Sequence, residues 1–356
     1  MDRVEADNAE RAASGPVGVD VCHDRPDWAA YLARRPDATI FHDPRWGEVM
    51  ERVYGNRPYY LTARRGETVA GVLQLVLQKS VLFGTHLCSL PYFDAAGVLA
   101  DDADAAAALL AKAGNLMSET RCRWVELRQA AALGAGLETR TDKIGLELAL
   151  PGDAGALWDG FDAKVRNQVR KAERAGVALE QGGAALLGEF HAVYARNMRD
   201  LGSPPHSRRF FEGLAASFGD AVRVFVVRLH EQPVGGSLVI VDGATVHLPW
   251  AASDWRHRGL CGNMLLYWGM MKAACEGGAA CFDFGRSARG SGTHQFKKQW
   301  GAEEVPLYWH YLLPPGGKTP AAAPEEGKYR LAMAVWRRMP VALVRALGPR
   351  LIAKLS

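Results

Sequence analysis

The sequence predicts an α/β (α+β) chain of two successive domains of one type, each a mixed sheet with helices on its faces. Three observations predict it. YYLTARRGETVAGVLQLVL (59–77) lines up with RVFVVRLHEQPVGGSLVIV (223–241), matching Arg64 to Arg228, Glu67 to Glu231 and Gly71 to Gly235. Each stretch is followed by more strand, a helix, and a strand carrying an acid and then an arginine, WVELR in the first half and FDFGR in the second. The 356 residues, 48% apolar and 23% charged, also suffice for two cores of about 150 residues each.

Each element follows from local pattern. Residues 1–37 are expected to hold an unstructured tail and a first helix. DRPDWAAYLARRP and DPRWGEVMERVYG each open on an Asp near a Pro and carry apolar residues at helical spacing, which predicts two helices. PYYLTARRGETVAGVLQLVLQ reads as a hairpin around RRGET, and LFGTHLCSL and AAGVLA as short strands. DDADAAAALLAKAGNLMSE is an alanine-rich helix behind acidic caps, and RWVELRQ returns as a strand. The first domain is expected over 38–155 and the second over 156–313. GDAGALWDGFDAKVRNQVRKAERAG opens the second as a single helix, followed by the strand ALEQGG and the helices AALLGEFHAVYARNMRDLG and SRRFFEGLAASFG. VRVFVVRL, QPVGGSLVIVDGATVHLPWA, the helix NMLLYWGMMKAACEGG, the strand ACFDFG and the aromatic strand PLYWHYLL complete it. PPGGKTPAAAPEEG is a linker by composition, so 314–356 is a linker plus C-terminal helices.

Composition narrows the function. A net charge of +4 is too small to imply nucleic-acid binding without a localised patch. The six cysteines (Cys22, Cys88, Cys122, Cys261, Cys275 and Cys281) have no CxxC spacing and no ligand-like distance from histidines, so they read as reduced thiols and no metal site is expected. GRSARG is not a GxSxG elbow and no HExxH occurs, which gives no support to hydrolase or metalloenzyme chemistry. No apolar run reaches membrane-span length, and the opening lacks the apolar centre of a signal peptide. A cytoplasmic protein is expected.

Four segments carry a family resemblance: AKVRNQVRKAERAGV (163–177), YARNMRDLGSPPHSRRFFEGL (194–214), CGNMLLYWGMMKAACEGGAACFDFGRS (261–287) and GSGTHQFKKQWGAEEVPLYW (290–309). With the repeated hairpin units, they resemble tandem GNAT-like domains, and in that arrangement the Fem family, which transfers amino acids from aminoacyl-tRNA onto peptidoglycan precursors. The phrases FHDPRW and PYYLTARRGETVAGVLQLVL resemble most the Fem-like proteins found with exosortase and exopolysaccharide genes. The resemblance covers residues 38 to 315 and implies mostly antiparallel sheets. It also implies an amide-forming acyltransferase acting on a cell-envelope, peptidoglycan or exopolysaccharide precursor. Acyl-CoA or aminoacyl-tRNA would be co-substrate, with no tightly bound cofactor. Two departures stand out. The pyrophosphate loop of acetyl-CoA-using GNAT enzymes, (Gln/Arg)-x-x-Gly-x-(Gly/Ala), corresponds to RHRGLCGN, where Arg256 and Gly259 fit, Cys261 takes the last small position and Gly262 follows. The helical hairpin that some Fem proteins insert is not found.

Candidate site residues follow. Lys164, Arg166, Asn167 and Arg170 lie in KVRNQVRKAER, where Arg166 and Arg170 are one helical turn apart and Val165 and Val169 mark the buried side. The run reads as a solvated face or as a positive stripe for phosphate or sugar-acid oxygens, and it matches the Fem basic helix. Asp283 alternates with Phe282 and Phe284, so it reads as the partner of Arg286 or as a base for the acceptor ammonium. Lys297, after a GSG hinge, matches a family lysine thought to support transfer. With Arg286 it is a candidate for the developing oxyanion, with Lys298 as the rival lysine. GSGTHQFKKQW is expected to act as a mobile lid, docked through Phe296 and Trp300. Trp250, Asn263 and Tyr267 flank the donor cleft in GNAT topology, as core or as ligand contacts, and Asn197 is a polar position on an amphipathic helix. KYRLAMAVWRRMPVALVRALGPRLIAKLS holds seven basic residues and no acid, with helical spacing broken at Pro340 and Pro349. It reads as a helix pair docked on the body or as a basic amphipathic segment in peripheral contact with the inner face of the membrane. The rival to an enzyme is a catalytically degenerate GNAT pair that binds a polysaccharide or protein.

Overall fold

The computed structural model describes residues 15–21, 26–80, 84–134, 136–320 and 326–354. The expected tail over residues 1–14, and Cys22, lie outside the described residues. The strands of the first half are β1 (Gly18–Val21), β2 (Pro58–Arg65), β3 (Thr68–Ser80), β4 (Gly84–Cys88), β5 (Leu99–Ala100), β6 (Val125–Gln129), β7 (Glu138–Arg140) and β8 (Lys143–Ala149). There follow β9 (Val177–Gly182), β10 (Val222–Leu229), β11 (Gln232–Asp242), β12 (Thr245–Ser253), β13 (Cys281–Asp283), β14 (Ser287–Ala288), β15 (Glu303–Pro306) and β16 (Tyr308–Leu312). The first helices are α1 (Pro26–Ala33), α2 (Arg45–Tyr54), α3 (Ala103–Glu119), α4 (Ala154–Gly160), α5 (Ala163–Arg174) and α6 (Leu187–Leu201). The others are α7 (Arg208–Phe218), α8 (Gly262–Glu276), α9 (Gly292–Lys298), α10 (Glu326–Arg338) and α11 (Val341–Ile352).

Two units divide the chain. The first comprises Met1–Arg140 with Leu307–Ala321 and the chain end from Ala353, and its sheet runs β1-β2-β3-β4-β6-β16-β7, with β5 added to β3. Leu61, Leu73, Leu87 and Val125 pack against Leu109, Leu116 and Met117 of α3. Trp28 and Tyr31 of α1 pack with Tyr60, Val72 and Leu99.

The second unit comprises Thr141–Pro306 with Ala322–Ile352, and its sheet runs β14-β8-β13-β12-β11-β10-β9, with β15 added to β8. Val165 and Val169 of α5 and Met264, Leu265 and Met271 of α8 share a core with Phe225, Val227, Phe282 and Phe284. A second aromatic cluster joins Phe190 and Tyr194 of α6 to Phe210 and Phe211 of α7 and to Trp250.

The expected repetition extends to register. In the first hairpin Ala63 pairs with Gly71 and Arg64 with Val69, a bulge; in the second Val227 pairs with Gly235 and Arg228 with Pro233, the same bulge. Each glycine sits under a close approach: a Cβ on Gly71 would come within 3.1 Å of the Leu99 carbonyl, and one on Gly235 within 2.7 Å of Val227. Among the described residues both sheets are antiparallel apart from one parallel pair each, β4–β6 and β12–β13.

Several boundaries differ from expectation. The limits 38–155 and 156–313 place β8 with the first half and β16 with the second. Instead β8 pairs with β13 and opens the second unit, whereas β16 pairs with β6 and returns to the first unit from beyond the second. Residues 18–21, expected in the tail, pair with β2 as an edge strand. The single helix expected over 153–174 breaks at Phe161, whose backbone is extended (φ −77°, ψ 148°). The helical break expected at Pro349 does not occur: Pro349 lies inside α11, and only Pro340 interrupts.

Candidate active site

The cleft of the second unit forms where two strands part. β12 and β13 pair in parallel from Thr245↔Cys281 to His247↔Asp283, the last pair in register. β12 then bulges against β11, between Ile240↔His247 and Leu238↔Trp250. Its far end, Ala251–Ser253, borders a cavity of about 140 Å³ with Asn197, Asn263, Tyr267 and Phe296. A larger cavity of about 310 Å³ shares Ser253, Asn263 and Phe296 and continues along Asp254, His257, Arg258 and the start of α8.

The turn before α8 is organised by Asp254. Its side chain is fully shielded and caps the 3-10 turn Trp255–Leu260, accepting the Arg256 N–H at 3.1 Å. Arg256 Nε donates to it at 2.9 Å, as does Arg196 Nη1 at 2.9 Å. The Arg256 hydrogen bonds hold its carboxyl well below the usual carboxylate range against the opposing effect of burial. Arg256, expected in the donor loop, thus shapes that loop by folding back onto Asp254. Gly259 is exposed, with open space where a Cβ would stand, and Gly262 is buried as the first residue of α8. Cys261 takes a left-handed backbone (φ 58°) and turns the chain into α8; the Cys261 carbonyl accepts the Met264 N–H at 2.9 Å, which leaves the N–H groups of Gly262 and Asn263 open at the cavity wall. Arg258 is exposed at the same wall, over the Trp255 ring at 5.7 Å.

The expected catalytic set is arranged differently from its sequence reading. Asp283 pairs with His247, not Arg286: its Oδ2 lies 2.8 Å from His247 Nδ1, and its Oδ1 accepts the Gly285 N–H at 2.7 Å. Burial alone would depress the imidazole, but the Asp242 and Asp283 carboxylates outweigh it and raise His247 to about 9. Glu147, level with Asp283 on β8, is pushed up by burial and by the Asp283 charge. Arg286 is exposed on the loop that follows. Lys297 is only 8% exposed, and its Nζ donates to the Gly285 carbonyl at 2.9 Å and the Arg286 carbonyl at 2.8 Å. Lys298, the rival lysine, points to solvent. The expected lid is docked: Phe296 meets Tyr267 at 4.8 Å, and Trp300 is 1% exposed against Phe161 at 5.1 Å. The reason is apolar burial on both sides of the lysine.

The basic helix is partly committed as well. Arg166 Nη1 donates to the carbonyls of Asp159 (2.8 Å) and Phe161 (2.6 Å) at the end of α4, which explains the helix break. Arg170 stands over the Trp158 ring at 5.4 Å. Lys164 and Asn167 are exposed. Trp250 is buried in the aromatic cluster with His206, Phe210 and Phe211, outside both cavities. Asn197 donates to the Ser253 carbonyl at 3.1 Å, fixing the β12 end to α6, and reaches the cleft with Asn263 and Tyr267. Burial raises the Tyr267 hydroxyl far above its usual range, so it stays protonated.

Sequence reading missed His247, Arg258, Asp254 and Gln168. Gln168 lines the larger cavity from α5, its Oε1 shielded from solvent without a hydrogen-bond partner. Its signal was available, since Gln168 lies one residue beyond Asn167 in the basic helix. His247 carried no local signal, because only the β12–β13 register brings it to Asp283.

Residues 161–298 match the family described as acetyltransferase (GNAT) domain. The fold is a tandem GNAT fold. It is similar to the crystal structure of FemX (TM-score 0.62, 15% identity, covering 82% of this chain and 97% of that one). It is also similar to a tandem GNAT protein from the clavulanic acid biosynthesis pathway (TM-score 0.56, 15% identity, 85% and 100% covered). L-PGS from Bacillus licheniformis superposes at a TM-score of 0.53 with 12% identity, covering 84% and 98%. No curated protein matched the sequence. In the GNAT domain, the strand end, the turn and the α8 N-terminus therefore form the cleft described above.

Proposed function

We propose that the chain is an acyltransferase that forms an amide, passing an acyl or aminoacyl group from a phosphate-bearing donor to an amine on a cell-envelope or exopolysaccharide precursor. The observation that carries this reading is the larger cavity. It brings together the open N–H groups of Gly262 and Asn263, the Arg258 guanidinium and Ser253 at the end of β12, and the smaller cavity continues along Ala251 and Ala252 of the parted edge. Helix N-terminal N–H groups and an arginine suit phosphate oxygens. An open strand edge suits the amides of an extended arm, and the Gln168 Oε1 offers an acceptor for such an N–H. Acyl-CoA and aminoacyl-tRNA share this chemistry. The Asp283–His247 pair lines neither cavity but is the last register pair before the strands part. We assign it the proton lost by the attacking amine, taken once the imidazolium has been titrated. Lys297 serves as a positioning residue, holding the 285–286 carbonyls that frame Asp283. The envelope acceptor rests on the resemblance of the four segments 163–177, 194–214, 261–287 and 290–309 to the Fem family.

One observation favours the non-catalytic reading: Lys297 and Arg166 are both spent on backbone carbonyls. A transfer assay separates the two. The protein is incubated with labelled acyl-CoA or aminoacyl-tRNA and an amine-bearing disaccharide-peptide or aminosugar precursor. Label in the precursor is expected from one donor; precursor binding without transfer from either donor establishes the binder. Arg258→Ala is expected to weaken donor binding about tenfold, with unchanged thermal stability because the side chain is exposed.

A further inference from the structure

α10 and α11 both lie on α6, and their two sides differ sharply. On the inner side Trp336 is buried and its Nε1 donates to the Ser203 carbonyl at 2.9 Å. Val344 is fully buried, and Gly348 lies so close to Pro205 that a Cβ would come within 2.4 Å of it. The pair is therefore docked, as one sequence reading expected. The outer side is not what a docked pair needs. Leu331 is 68% exposed, Val335 55%, Leu343 49%, Leu347 39% and Leu351 40%. With Leu201 at the end of α6, these are six of the eight large apolar side chains exposed among the described residues. Single exposed leucines are ordinary. A stripe is not: Leu331 and Val335 are one turn apart, and Leu343, Leu347 and Leu351 occupy successive turns.

Charge identifies the occupant. Residues 328–356 hold seven Lys and Arg and no Asp or Glu. Arg338 lies one turn beyond Val335 and Arg350 one turn beyond Leu347, both exposed, so cations interleave with the leucines. Long basic side chains beside leucines can hold head-group phosphates while the leucines enter the acyl boundary. Among the described residues no helix is long and apolar enough to cross a membrane, so this contact is interfacial. We propose that the outer face of α10 and α11 docks on the surface of an anionic phospholipid bilayer. This inference is independent of the transfer chemistry proposed above.

The test is co-sedimentation of the full chain with vesicles of phosphatidylcholine alone, or with a third of the lipid replaced by phosphatidylglycerol. Binding to the anionic vesicles is expected, falling as salt rises. Replacing Leu343 and Leu347 together by Ser is expected to lower it about tenfold or more. Arg338→Gln or Arg350→Gln lowers it about fivefold each, the size of one cation near an anionic surface. These side chains are exposed, and circular dichroism checks that each variant folds. Absence of binding at low salt overturns the proposal, as does binding unchanged by the paired leucine substitutions. A vesicle-free chain that self-associates and is made monomeric by the same substitutions also overturns it, assigning the face to a second copy.

Discussion

His247 and Lys297 show how single side chains carry the charge of the second unit inward, one between two carboxylates and the other between two carbonyls. The His247 pKa is raised from 6.5 to about 9, so its stabilisation is complete below the unfolded value and is lost as pH climbs through the folded one. Unfolding free energy is expected to drop by up to about 3 kcal/mol between about pH 6.5 and 9. His247→Gln should flatten that drop in denaturant titrations. Over the same window kcat/KM is expected to rise, because the pair accepts a proton only as the imidazolium is titrated. A rate profile that keeps this limb in His247→Gln would remove the pair from proton transfer. Lys297→Ala is expected to cost about 2–3 kcal/mol of stability, since two carbonyls lose a charged donor inside the fold. Thermal unfolding measures it directly.

At the scale of elements, α5 shows one helix divided between two tasks. Val165, Val169 and Ala172 bury one side, Arg166 satisfies the α4 end, and Lys164 and Asn167 stay in solvent. Arg166→Ala is expected to lower stability by about 1–3 kcal/mol because the α4 carbonyls lose their donor. Arg170→Ala should cost less than about 1 kcal/mol, the size of one exposed cation–π contact. Equal losses in chemical denaturation would contradict this division. The same element-scale logic explains the break that helical spacing alone did not show. The apolar pattern of 153–174 continues across Phe161, but hydrogen bonds from a residue beyond the break set the backbone there.

For the molecule as a whole, which unit β8 and β16 join determines which fragments fold. Residues 156–313, the expected second domain, lack β8 and would leave β13 with an open edge. Residues 141–306 restore it. The longer-starting fragment is expected to unfold cooperatively in urea, and 156–313 to give a broad transition or aggregate. A cooperative transition of similar midpoint for both would show that β8 is dispensable.

Although the strands β1, β7, β8, β14 and β15 were not read from it, the sequence by itself determined the fold class, the duplicated hairpin with its paired glycines, most of the helices and the longer hairpin strands, and the segment that lines the cleft. These are properties of local periodicity, turn chemistry and repeated spacing, which neighbouring residues express without help. Only the tertiary structure decided the partners: His247 for Asp283, Asp254 for Arg256, backbone carbonyls for Lys297 and Arg166, and the crossed membership of β8 and β16. Each of these joins residues whose pairing follows from strand register or from a side chain reaching across a break, where the competing partners are equally plausible in one dimension. Burial then selects among them, because a shielded charge or carbonyl must be satisfied by whichever group the fold brings within hydrogen-bond reach.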